Sequence, residues 1–109
     1  MNDTVLQDLY QVVLNRKSDP QEGSYTCYLF DKGLDKILKK VGEECSETII
    51  AAKNGKQEET VGEISDLIYH LMVMMADQNI PLDAVLAELE RRSRKIGNLK
   101  QMKTVDHET

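Results

Sequence analysis

The chain has 109 residues, 40% of them hydrophobic and 30% charged, with a formal net charge of −5. That length suits one domain, and the acidic balance excludes a general binder of nucleic acid or of anionic membrane, which would present a basic face. No apolar run is long enough to span a bilayer, and the opening MNDTVLQDLYQ carries two early Asp and no basic segment, so a cytoplasmic protein without a signal peptide is expected. Cys27 and Cys45 form no CxxC and are too few for a disulfide framework. Cys45 falls within a helical pattern and is expected to pack as a small apolar side chain.

The pattern predicts an all-α fold, a bundle of four main helices, and such a short helical chain is a good candidate for a dimer. The first helix covers Thr4 to Lys17, with Val5, Leu6, Leu9, Val12 and Val13 at helical spacing. SDPQEGSYTCYLF then breaks the pattern; Pro20 and Gly23 mark an irregular connection ending in an aromatic run. The second helix runs from about Asp31 to Lys53 on a stripe of Leu34, Ile37, Leu38, Val41, Cys45, Thr48, Ile49 and Ala52. Asn54-Gly55 suits its C-cap. The third helix runs from about Glu58 to Asp77 on Val61, Ile64, Ile68, Leu71 and Met75, broadened by Leu67, Met72 and Met74. Pro81 stands where a first helical position is expected, and the fourth helix, Leu82 to about Lys95, buries Leu82, Val85, Leu86 and Leu89. Arg91, Arg92, Arg94 and Lys95 crowd its last turn, where positive charge suits the helix dipole. Gly97 fits a stop, so residues 1–97 read as one domain and 98–109 as a polar tail.

The chemistry concentrates between Gly42 and Asp66. Like charges three and four apart on a helix repel, yet Glu44 and Glu47 repeat that step in one helix and Glu63 and Asp66 in the next. At about 100° per residue, Glu44 lies roughly 60° and Glu47 roughly 120° to one side of Val41, flanking the stripe. Glu59, Glu63, Asp66 and His70 line one face of the third helix. Two antiparallel helices joined by the short Asn54–Gln57 turn bring both acidic pairs to nearly the same depth. Carboxylates at one level need neutralising, and an all-oxygen set suits Mg²⁺ or Mn²⁺. The alternative is a solvated acidic face balanced by Lys36, Lys39, Lys40, Lys53 and Lys56. His70 is either a ligand or a supporting residue. Leu67, not Glu, precedes it by three, which speaks against a di-iron Glu-x-x-His centre.

These residues resemble phosphoribosyl-ATP pyrophosphohydrolase, within the all-α, MazG-like nucleotide pyrophosphohydrolases. The superfamily signature ExxE, spacer, ExxD is met by ECSE (Glu44 to Glu47) and EISD (Glu63 to Asp66), fifteen residues apart. More specific marks are SYT with LF (Ser24 to Thr26, Leu29, Phe30), Gly33, KVGEE (Lys40 to Glu44) and DLIYHL (Asp66 to Leu71), and the likeness covers about Leu9 to Arg92. It implies Mg²⁺-dependent hydrolysis of phosphoribosyl-ATP to phosphoribosyl-AMP and pyrophosphate, the second step of histidine biosynthesis, by a homodimer. With no cyclohydrolase domain alongside, it implies the stand-alone form. Glu44, Glu47, Glu63 and Asp66 are then expected to hold the metal, with Glu43 or Glu47 as general base and His70 and Glu59 in support. Lys40 is the first choice for phosphate binding, followed by Lys36 and Lys32. Ser24, Tyr25 and Thr26 are expected to bond phosphate or ribose, or to stack on adenine. Two rivals share parts of this pattern: a MazG-like enzyme of ordinary nucleoside triphosphates, and a non-enzymatic helical interaction module.

Overall fold

The computed structural model describes residues 3–95. Five helices follow one another: α1 (Val5–Ser18), α2 (Tyr25–Lys32), α3 (Leu34–Lys53), α4 (Gln57–Asp77) and α5 (Leu82–Ser93), with no strand among the described residues. The all-α reading holds. The aromatic run expected to be an irregular connection is instead the short helix α2. Ser24 caps it, its Oγ accepting from the Cys27 N–H at 3.2 Å. Gly33 ends it with φ at +93°, a conformation open to glycine and strained for other residues. That break also moves the start of the next helix from Asp31 to Leu34. Pro81 sits just before α5 rather than within it. The expected stop at Gly97 and the tail 98–109 lie outside the described residues.

Two long helices, α3 and α4, form an antiparallel hairpin through a tight turn in which Gly55 takes φ of +70°. At 1.5 Å per residue each arm is about 30 Å long. The core gathers at one end, where α3 begins and α4 finishes. There Tyr10, Val13, Leu29, Ile37, Met72, Val73, Met75, Ala76 and Leu82 bury one another, with Leu9, Leu14, Phe30, Tyr69, Met74 and Leu86 against them. Polar ties hold α1 to this end. Tyr10 donates to the Ile80 carbonyl at 2.5 Å, and Lys17 Nζ donates to the Ala76 carbonyl at 2.7 Å and to Asn79 Oδ1 at 3.0 Å. Lysine there satisfies a carbonyl at the C-terminus of α4.

The hairpin turns a different face inward from the one its apolar residues mark. On α3 the buried residues are Ile37, Glu44 and Ala51, while Leu34, Leu38, Cys45, Ile49 and Ala52 of the expected stripe are exposed. On α4 the buried residues are His70, Met72, Val73, Met75 and Ala76; Val61, Ile64 and Ile68 are exposed. Glu44 therefore faces the seam between the helices instead of flanking a buried stripe. Cys45 does not pack inside the chain. The same holds at the ends: Val5, Leu6 and Val12 of α1, and Val85 and Leu89 of α5, are exposed. Among the described residues no helix is long and apolar enough to cross a membrane.

Candidate active site

Glu44 projects from the middle of α3, Glu63 and Asp66 from the facing stretch of α4. One carboxylate oxygen of each lies within 4.8 Å of the others. The antiparallel turn does this: residues equally far before and after it meet at one level. Glu44 is only 6% exposed, an extreme value for a carboxylate. Its Oε2 and that of Glu63 are buried with no hydrogen-bond partner among the described residues. Buried carboxylate oxygens without a partner are costly unless a proton or a cation satisfies them, and the set fits a hard divalent ion with oxygen ligands.

The electrostatics carry the same strain. The Glu63 carboxyl is pushed up to about 7, first because the Glu47 carboxyl is drawn into sharing its proton, then by burial, then by Glu44. Glu47, also expected among the ligands, is exposed; it acts on Glu63 but is not one of the three carboxylates whose oxygens meet. Lys40 stands on the other flank, 3.2 Å from Glu43 and 3.8 Å from Glu44. The Glu43 carboxyl is held below its usual range by that hydrogen bond to Lys40, and Lys40 is raised by it in turn.

The remaining site residues named from sequence take distinct places. Lys36 and Lys32 reach over the Tyr28 ring, 6.0 Å and 5.7 Å from its centre. Ser24 Oγ accepts from the Cys27 N–H as the α2 cap. Thr26 is bonded to the Tyr69 hydroxyl. Tyr25 bonds His70 Nε2 at 2.9 Å, and His70 Nδ1 meets the Asp66 carbonyl at 2.7 Å. Glu59 stands outside the cluster, exposed and 3.8 Å from Lys56. Arg91 and Arg92 are taken up by Glu88 on their own helix, at 2.6 Å and 2.8 Å. Sequence reasoning missed Tyr69, whose bond to Thr26 pins α2 onto α4. Its one available signal was its place in DLIYHL, directly before His70.

Comparison with known proteins shows what the chain is similar to. The sequence profile of the family described as PRA-PH, phosphoribosyl-ATP pyrophosphohydrolase, matches residues 6–93. A phosphoribosyl-ATP pyrophosphatase of Listeria monocytogenes serotype 4b (strain CLIP80459) is 56% identical over 102 residues, covering 94% of this chain and 98% of the relative. One from Clostridium botulinum (strain Kyoto / Type A2) is 56% identical over 103 residues, covering 94% of each.

Proposed function

The chain belongs to the phosphoribosyl-ATP pyrophosphohydrolase family, and on that footing we propose that it hydrolyses phosphoribosyl-ATP to phosphoribosyl-AMP and pyrophosphate in histidine biosynthesis, in the cytoplasm and with Mg²⁺. The observation that carries the metal reading is the pair of buried, unpartnered oxygens on Glu44 and Glu63 beside Asp66. Glu44, Glu63 and Asp66, with Glu47 completing the set, would hold Mg²⁺ or, in its place, Mn²⁺. When bound, such an ion neutralises polyphosphate oxygens and the charge that develops on the leaving pyrophosphate.

The chain's own groups divide the remaining work. Lys40, 3.8 Å from Glu44, suits the outer phosphates; Lys36 and Lys32, over the Tyr28 ring, add positive charge. A general base must be free to take a proton near neutral pH. Glu43 is poorly suited, since Lys40 depresses its basicity. Glu47 is the remaining candidate, being exposed and beside Glu63. The exposed ring of Tyr25, stacked with Tyr28 at 6.1 Å, offers a surface for a base.

We further infer a homodimer. Ile49 (68% exposed), Ile50, Val61, Ile64 and Ile68 leave the outer face of the hairpin apolar beyond the core end. A contiguous face of that kind marks an interface, and a second copy laying the same face against it closes a four-helix bundle by two-fold symmetry. Pyrophosphate release from phosphoribosyl-ATP, with and without Mg²⁺, tests the activity. Faster turnover of ATP or dCTP would overturn the substrate, and turnover unaffected by EDTA would overturn the metal.

A further inference from the structure

Two lysines converge on one aromatic ring. Tyr28 is 42% exposed, and over its ring lie Lys32 Nζ at 5.7 Å from the centre and Lys36 Nζ at 6.0 Å. Because the chain breaks at Gly33, one lysine comes from the end of α2 and the other from the start of α3. Each ammonium is drawn to the negative face of the ring, yet the two repel one another. Among the described residues neither makes an ion pair or a hydrogen bond. Asp31 and Asp35, their neighbours in sequence, are exposed and pair with neither. Lys40, by contrast, is taken up by Glu43 at 3.2 Å. The pair is thus uncompensated positive charge beside an aromatic surface, a setting that suits a dianion.

Its place relative to the acids says which anion. Glu44, Lys40 and Lys36 follow at four-residue steps along one side of α3, which puts Lys36 about 12 Å from Glu44 along the helix. A matching row comes from α2. Tyr25 bonds His70, which contacts the Asp66 carbonyl, so this ring stands at the acid end. Tyr28 stacks with it at 6.1 Å and lies at the lysine end. From the acids outward the order is carboxylates, then Lys40 and Tyr25, then Tyr28 with Lys36 and Lys32. A nucleotide with its triphosphate at the acids and its base against the tyrosines turns the far side of that base toward the lysine pair. In phosphoribosyl-ATP the base carries a second ribose with its own 5-phosphate; in ATP it carries nothing.

We propose that Lys32, Lys36 and the Tyr28 ring form a subsite for the phosphomonoester on that second ribose, and that this subsite separates phosphoribosyl-ATP from ATP. This rests on the reading of the chain as a phosphoribosyl-ATP hydrolase with the triphosphate at the acids. It leaves the triphosphate to Lys40 and assigns the other two lysines to the opposite end of the substrate.

Removing the lysines and removing the phosphate should delete the same interaction. Lys32→Met and Lys36→Met keep the apolar stem and suit a helix. Each should raise KM for phosphoribosyl-ATP about tenfold with kcat within about twofold, the worth of a hydrogen bond to a charged group at an open site. Ribosyl-ATP, the same substrate without its 5-phosphate, should cost the wild type about a hundredfold in kcat/KM and the double lysine variant no more than about threefold. A double variant that still loses about a hundredfold, or a wild type indifferent to the phosphate, overturns the proposal. A readout without turnover separates it from the proposed function. In EDTA, millimolar ribose 5-phosphate should shift the Tyr28 ring protons and the ε-methylene signals of Lys32 and Lys36, and free ribose should not. Tyr28→Leu and the double lysine variant should lose the response. No shift in the wild type overturns the subsite even where phosphoribosyl-ATP is turned over. A shift in a protein that releases no pyrophosphate upholds the anion site and defeats the proposed function.

Discussion

Replacing Glu44 with Gln should make the metal-free protein more stable and the enzyme nearly inactive. Asp66 brings a carboxylate oxygen within 4.8 Å of Glu44, a repulsion of about 3 kcal/mol at an effective dielectric near 20. Lys40 at 3.8 Å returns an attraction of about 4 kcal/mol on the same scale. These nearly cancel, which leaves the buried, unpartnered Oε2 as the deciding contribution. A Gln amide has the same shape and can donate to a neighbouring carboxylate, so Glu44→Gln should gain about 1–2 kcal/mol in EDTA. In a domain of this size that raises Tm by several degrees, about 4–8 °C per kcal/mol. The assay is thermal melting at fixed protein concentration, with and without Mg²⁺, beside pyrophosphate release. Wild type should be stabilised by Mg²⁺ and the variant hardly at all. Since changes merely behind a metal ligand cost about 10–100-fold, kcat/KM should fall at least about a hundredfold. A variant that melts lower than wild type in EDTA and keeps its turnover would refute the reasoning and make Glu44 a structural partner of Lys40.

Three further outcomes are expected. In EDTA, stability should fall as pH rises from about 4.5 to about 7: the folded Glu63 carboxyl is raised to about 7, so the folded state binds the extra proton below that pH and loses this advantage on ionising. Mg²⁺ should flatten that decline, since the ion replaces the proton; urea titrations at successive pH values check both statements. Leu29→Ala should cost about 3 kcal/mol by denaturant unfolding, because the side chain is 0% exposed and holds α2 to the core. Ile64→Asp on the outer hairpin face should yield monomers in sedimentation velocity while a single chain keeps its helical circular dichroism, since the residue is 43% exposed within one chain.

The meeting of Glu44 with Glu63 and Asp66 was legible because it needs only a helix pitch and a short turn. The orientation of the hairpin was not. A stripe such as Leu34, Leu38, Cys45 and Ile49 says that a face is apolar but not whose core it joins, and the acids filled the seam assigned to it. The short α2 escaped because eight residues cannot display a helical period, although Ser24 and Gly33, its two ends, were both readable as cap residues. The bonds from Tyr25 to His70 and from Thr26 to Tyr69 join residues 45 and 43 positions apart, and only the packing of α2 on α4 brings them together.

Among the described residues the hairpin's core cluster lies at one end. Beyond the acids, Ile49, Ile50 and Val61 stand in the open, and toward those tips Ala51 is the one buried apolar residue among the described residues. The gap between Glu44 and Glu63 is therefore the jaw of a peg whose spring is held at the handle. How wide it stands for an ion depends on what squeezes the tips. Dilution of the protein and withdrawal of the metal should thus converge on the same slackened hairpin, each making the other easier.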